Sequence, residues 1–321
     1  MGIWRSRPPA LRKILKLGSR ATFSRSLREP PNFRRSGYTC LPIFVSSCTA
    51  GTAVKKSLSR IAAAGIALAS VPPIAFGQTE APSPICTDRP TKANAPCTVP
   101  AGQWQLETDV VNATHDRRGD VTTDTLYPLN PYLKYGLGER MDMEVNWAPS
   151  VRIRSKVDGH RESTTGQGDL TVRLKAQVYR SESFSAAVIP FVKAPTASTG
   201  IGNGRWEGGV AMPIGVLLPA GFSLTLGPEV DVLADADGHG RHIALTNLVN
   251  LSHPLTPRLN IAVELWQQNN RDPAGSITQR SADVALIFAA TPTFQIDVGA
   301  NVGLNARTPD RQIYFGLAHR W

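Results

Sequence analysis

Residues 294–305 read Phe294-Gln295-Ile296-Asp297-Val298-Gly299-Ala300-Asn301-Val302-Gly303-Leu304-Asn305. Every second residue is apolar and every intervening one is polar or glycine, which is the period of a strand whose two faces meet different surroundings. Beyond it, Ile313, Phe315 and Leu317 alternate with Gln312, Tyr314, Gly316 and Ala318 up to the terminal Trp321. Upstream, Phe222, Leu224, Leu226, Val230 and Val232 interleave with Ser223, Thr225, Glu229 and Asp231. Met141, Met143, Val145 and Trp147 do the same with Asp142, Glu144 and Asn146. Leu170, Val172, Leu174 and Val178 interleave with Thr171, Arg173, Lys175 and Gln177. Trp104, Leu106 and Val110 open the series against Gln105, Glu107 and Asp109.

Alternation also suits a soluble sandwich, so other features must decide. The segments run about 10–15 residues, against about 5–6 in soluble sheets and about 9–11 for a strand crossing a bilayer. Tight connections (138–139, 182–183, 219–221, 255–257 and 291–292) alternate with longer polar ones (114–121, 156–166, 195–205, 235–240, 271–277 and 306–310). Bacterial outer-membrane barrels carry short turns at one end and long loops at the other. The non-apolar face holds ionised groups in nearly every segment: Glu107, Asp109, Asp142, Glu144, Arg173, Lys175, Glu229, Asp231, Glu264, Asp283 and Asp297. The apolar runs hold none, and a charge facing lipid costs about 2–4 kcal/mol at the midplane. The expected fold is therefore all-β, a transmembrane antiparallel up-and-down barrel with those eleven residues lining its lumen.

The segments 102–113, 122–137, 140–155, 166–180, 183–194, 206–218, 222–234, 241–253, 258–270, 278–290, 293–305 and 311–321 number about twelve, an even count that puts both ends of the barrel on one side. Prolines at 128, 131, 149, 190 and 213 predict bulges or kinks. Phe315 and Trp321 on the last strand have the form of the aromatic signal read by the barrel assembly machinery.

Composition taken whole misleads. Lys and Arg number 35 against 25 Asp and Glu, a formal +10. Residues 1–77 contain 13 of the basic and one of the acidic residues, which leaves 78–321 at about −2. A nucleic-acid partner thereby loses its support. Residues 54–77 have a basic start (Lys55, Lys56, Arg60), an apolar stretch (Ile61–Val71) and a small-x-small end at Ala75-Phe76-Gly77, which predicts a signal peptide cut before Gln78. A signal belongs at the start of translation, so residues 1–53 are expected to be an upstream extension, disordered and outside the true reading frame start near Val54. Arg34-Arg35 and Val45-Ser46-Ser47-Cys48 offer weaker rival signals. Residues 78–101 form a Pro-rich segment, periplasmic or folded inward as a plug. Its two cysteines, Cys86 and Cys97, are expected to pair in an oxidising compartment.

Three stretches carry a family resemblance: Cys86-Thr87-Asp88-Arg89-Pro90-Thr91-Lys92, Pro100-Ala101-Gly102-Gln103-Trp104-Gln105-Leu106-Glu107 and Gly166-Gln167-Gly168-Asp169-Leu170. In them the chain resembles the outer-membrane "transporter" family named for the meta-pathway of phenol degradation, over most of 85–321. The resemblance implies an exported barrel that moves small, often aromatic or apolar, compounds.

No phosphate loop, zinc spacing or nucleophile elbow occurs, so no enzymatic activity, cofactor or metal is expected. The glycine-rich loop 235–241 with His239 and His242 reads as solvated, with cation binding the lesser alternative. Two other readings stay open. A lipid-acting hydrolase needs a serine beside a histidine, and His160 with Ser163 is the nearest pairing; a non-conducting structural barrel needs neither. In a barrel this narrow the lumen charges either pair to fill the interior or form the wall of a conduit. The expected partners are outer-membrane lipid, the assembly machinery and a small-molecule substrate, for a monomer in the outer membrane of a Gram-negative bacterium.

Overall fold

The computed structural model describes residues 83–321. The expected signal peptide, its cleavage point and the 1–53 extension lie outside the described residues. The described residues form sixteen strand segments: β1 Trp104–Arg118, β2 Val121–Gly138, β3 Met141–Asn146, β4 Ser150–Val157, β5 His160–Gly166, β6 Leu170–Arg180, β7 Phe184–Ala194 and β8 Glu207–Ala211. β9 Ile214–Leu217, β10 Ser223–Leu226, β11 Glu229–Ala234, β12 Arg241–Pro254, β13 Leu259–Asn270, β14 Ile277–Thr291, β15 Phe294–Gly303 and β16 Arg311–Arg320 follow. Four pairs (β3–β4, β5–β6, β8–β9 and β10–β11) are single passes broken by two or three residues, so the barrel has twelve passes.

All pairings between strands are antiparallel, and the sheet closes where β1 pairs with β2 on one side and β16 on the other. At the seam Trp104 and Trp321 exchange both backbone hydrogen bonds. Closure leaves an open edge only at β5, which pairs with β4 alone at the end of the barrel with the longer connections, and none along the apolar band, where hydrocarbon could not satisfy it. Among the described residues no helix is long and apolar enough to cross a membrane.

Burial is inverted relative to a soluble protein. Lys134, Lys175, Gln105, Glu107 and Glu144 are among the largest fully buried side chains, whereas Leu265 and Ile313 are 60% and 56% exposed. A water-soluble sandwich would hide the leucines and show the carboxylates. An apolar outer wall around a charged interior is what lipid on one side and a polar lumen on the other select.

The breaks follow the backbone chemistry. Pro149 lies between β3 and β4, Pro213 between β8 and β9, and Pro228 between β10 and β11. Around Pro128 the β2–β4 register shifts between Leu126 and Leu129. Pro190 causes no shift; the β6–β7 ladder merely lapses beside it. A further shift at Asp109/Val111 turns both Val110 and Val111 outward.

The connections at one end depart from expectation. Residues 114–121 and 156–166 are not open loops. β1 and β2 run on to meet at the two residues Gly119-Asp120, and β4 and β5 meet at Asp158-Gly159. Asp158 and Gly159 have φ 49° and 85°, the two positive values of the hairpin turn that matches strand twist. These extensions stand beyond the apolar band, where both faces meet water. The hydrophobic alternation fades there although the hydrogen-bonded ladder continues.

Candidate functional site

The barrel interior is occupied by the segment ahead of β1. Residues 83–101 touch lumen side chains from β1, β2, β3 and β6 on one wall and from β12 to β16 on the other, so they run inside the ring. Cys86 and Cys97 are joined in a disulfide that closes a loop of this segment. Prolines 84, 90, 96 and 100 keep it out of any ladder. Instead its polar groups are bound by the wall.

On the first wall, the Asp88 carboxylate accepts from Lys134 Nζ at 2.5 Å and from Lys175 Nζ at 2.7 Å. Lys134 also meets Glu107 at 2.6 Å and Glu144 at 3.4 Å. Glu144 pairs with Arg173 Nε at 3.1 Å and Lys175 at 3.2 Å. The Asp88 backbone N–H donates to Glu107, and that of Val99 to Asp142 at 2.8 Å. The wall residues alone, Glu107, Asp142 and Glu144 against Lys134, Arg173 and Lys175, balance in sign. Burial pushes the Asp88 carboxyl up, but Lys134, Lys175 and Arg173 outweigh it and hold the group well below the usual carboxylate range.

The opposite wall is different in kind. Arg89 donates to Asp109 at 2.7 Å and to Asp297 at 2.8 Å. Lys92 Nζ lies 3.4 Å from Asp283, and the backbone N–H groups of Lys92 and Ala93 donate to Glu264 at 3.1 and 3.0 Å. Among the described residues no wall cation forms an ion pair with Asp109, Asp297, Asp283 or Glu264. Burial works against the Arg89 charge, yet Asp109 and Asp297 raise its pKa further. Here the cations come from the segment inside the barrel. An unpaired buried carboxylate costs several kcal/mol, so this wall depends on them.

Small residues make the room. A Cβ at Gly316 would collide with the Arg89 guanidinium, and one at Gly136 with the Pro100 carbonyl. At the chain end, Arg320 points inward and donates to the Ser83 carbonyl at 2.5 Å.

Past this segment, towards the longer connections, lies a cavity of about 190 Å³. Lys92 and Asn94 border it, as do Ala197, Ile201 and Gly202 of the 195–206 connection. That connection is held by Asp169, which accepts from the Ala197 N–H at 2.9 Å and from Lys193 at 2.8 Å. Tyr127, Tyr132 and Phe191 supply rings, and Asn130, Asn146 and Thr171 neutral polar groups. Ile201 and Tyr127 pack on Ala148, Val151 and Ile153. Arg173, placed over the Tyr132 ring at 5.6 Å, also donates to Asn94 at 2.7 Å.

Of the eleven lumen candidates, ten are buried on the inner face, and Glu229 is half-buried at the edge of this cavity. Glu144 gathers Arg173 and Lys175, whereas Asp142 binds the Val99 N–H. Asp231 accepts from Gln268 Nε2 at 3.3 Å. Phe315 and Trp321 are on the outer surface. Sequence reading missed Lys134, the hub of the first wall, although its place between Leu133 and Tyr135 puts it on the polar face. Tyr314, which donates to Asp283 at 2.6 Å, was equally available from the alternation. His160 and Ser163 sit three apart on β5, which turns them to opposite faces and prevents a serine–histidine pair. His242 contacts Asp235 at 2.8 Å, but no cluster among the described residues could hold a metal.

The fold has a counterpart among solved structures. The COG4313 outer membrane channel from Pseudomonas putida F1 superposes with a TM-score of 0.56 at 15% identity, covering 70% of this chain and 97% of its own. The NanC porin gives 0.46 at 8% identity over 66% and 98%, and the CymD monoaromatic hydrocarbon channel 0.41 at 8% over 69% and 88%. Only the first is close enough to bear on the fold, and it agrees with an outer-membrane barrel. No curated protein matches the chain. A family model matches residues 87–321, from the lumenal segment to the last strand, and the chain belongs to the family described as "Putative MetA-pathway of phenol degradation".

Proposed function

We propose that this barrel is an outer-membrane channel for small neutral compounds with an aromatic or apolar body, and that residues 83–101 form its plug. One observation carries the reading: the lumen is filled by a chain segment whose charges are matched to the wall, and the space left above it is lined by rings and neutral polar groups together with charged side chains that are already engaged. Lys193 pairs with Asp169 and Glu207, Arg173 with Glu144 and Lys92 with Asp283. A charged solute would have to compete with those pairs, whereas a neutral ring needs only the aromatic wall and a hydrogen-bond partner. The family's description points to the same class of compound.

Liposome swelling with the purified barrel tests this. Phenolic and other neutral ring compounds should enter faster than charged sugars of similar size, and deletion of 83–101 should admit both. Equal rates for both classes in the intact protein would refute the selectivity. Export through the 54–77 signal, with cleavage before Gln78, completes this reading; a mature protein starting elsewhere on N-terminal sequencing would overturn it.

A further inference from the structure

The outer face of the extended strands carries a charge pattern that the lumen does not use. Directly opposed residues in neighbouring strands share a face. Arg311 on β16 opposes His115 on β1, His115 opposes Asp124 on β2, and Asp124 opposes Arg154 on β4. One step nearer the apolar band, Ile313 opposes Ala113, Ala113 opposes Leu126 and Leu126 opposes Arg152. Both rows face outward, because Gln312, Tyr314, Val151 and Ile153, which alternate with them, are buried inside.

The rows enclose a groove of about 320 Å³ with Ala113, Leu126 and Ile313 as its apolar part and Arg152, Arg154 and Arg311 around it. These arginines are exposed, and among the described residues none of the three has an ion-pair partner. Asp124 is occupied by His115 at 2.7 Å. Arg117, Lys156 and Arg161 continue the positive surface towards the tips of the hairpins. Below it the wall turns apolar at Ile313, Phe315 and Val111.

A cationic collar at the top of a lipid-facing wall meets lipid headgroups rather than a solute. We propose that this groove binds a phosphorylated glycolipid of the outer leaflet, lipid A in chemistry: its phosphates on Arg152, Arg154 and Arg311, its sugar and acyl root on Ala113, Leu126 and Ile313. The planar forks of arginine match phosphate oxygens in pairs. The longer connections then face outward, as in other barrels of this kind; the proposal rests on that orientation and not on what the lumen carries.

The test uses the full barrel in detergent, with lipid binding followed by native mass spectrometry. Bisphosphorylated lipid A should bind at least tenfold more tightly than the same lipid stripped of phosphate. The triple variant Arg152→Gln, Arg154→Gln, Arg311→Gln should lose that preference while keeping the heat-resistant gel mobility of a folded barrel. A control removing three loop arginines, Arg205→Gln, Arg271→Gln and Arg307→Gln, should retain it. Equal binding of the two lipids to the unaltered protein overturns the proposal without recourse to any variant. Complete displacement by millimolar inorganic phosphate would assign the groove to free anions and overturn it as well.

Discussion

Arg89 ties the lumenal segment to two carboxylates of the opposite wall. Its two carboxylate partners have no wall cation, so removing the guanidinium leaves Asp109 and Asp297 uncompensated. Breaking such a buried pair costs about 3–5 kcal/mol. Arg89→Ala is expected to release the segment and raise single-channel conductance, with the open state selecting cations over anions because the bared wall is acidic. Planar-bilayer reversal potentials measure this; an anion-selective variant would contradict the assignment of charge. Asp88 makes one of the anchors pH-dependent. Its folded pKa lies below the unfolded value of about 3.9, so its anchoring is fully present above that value and is lost as pH falls through the lower folded pKa. Asp88→Asn should therefore raise conductance at every pH from 7 to about 4, and its difference from the unaltered protein should shrink only in stronger acid. A difference that already vanishes between pH 7 and 5 would contradict the lowered Asp88 pKa.

At the level of elements, the final strand closes the ring. β16 pairs with β1, and Trp321, next along the chain, stacks on His319 at 5.6 Å while bonding to the Trp104 backbone. Deleting Trp321 removes two ladder hydrogen bonds and an interfacial aromatic. Assembly into the heat-resistant form should fall several-fold in cells, with a smaller change for Phe315→Ala, whose ladder bonds survive. Pulse-chase analysis of gel mobility would show it, and unchanged kinetics in both variants would remove the assembly role from this strand. The strands themselves were legible in the sequence. β15 and β16 alternate without interruption, and their limits fall within two residues of those expected. The hairpin tips were not legible, because hydrophobic period reports a contrast between two environments and there is none beyond the membrane.

For the molecule as a whole, the interior has two halves of different electrostatic character. The wall of β2, β3 and β6, with Glu107 of β1, balances its own charge, while the wall from β13 to β15, with Asp109, waits for the cations of the lumenal segment. That asymmetry makes the segment's two anchors unequal, and the proposed plug would stay tied at one side when it loosens at the other.

Sequence alone determined the class of fold, the number of passes and which face meets lipid, because each follows from local alternation and a bilayer's thickness. It also marked most of the charged interior. Whether those charges paired across the lumen or lined an open path was beyond it. Asp88 and Lys134 are 46 residues apart in sequence, Arg89 and Asp297 more than two hundred, and nothing local ties them together. Only closure of the ring brings such groups within about 3 Å, and only the closed ring shows that residues 83–101 stand between them.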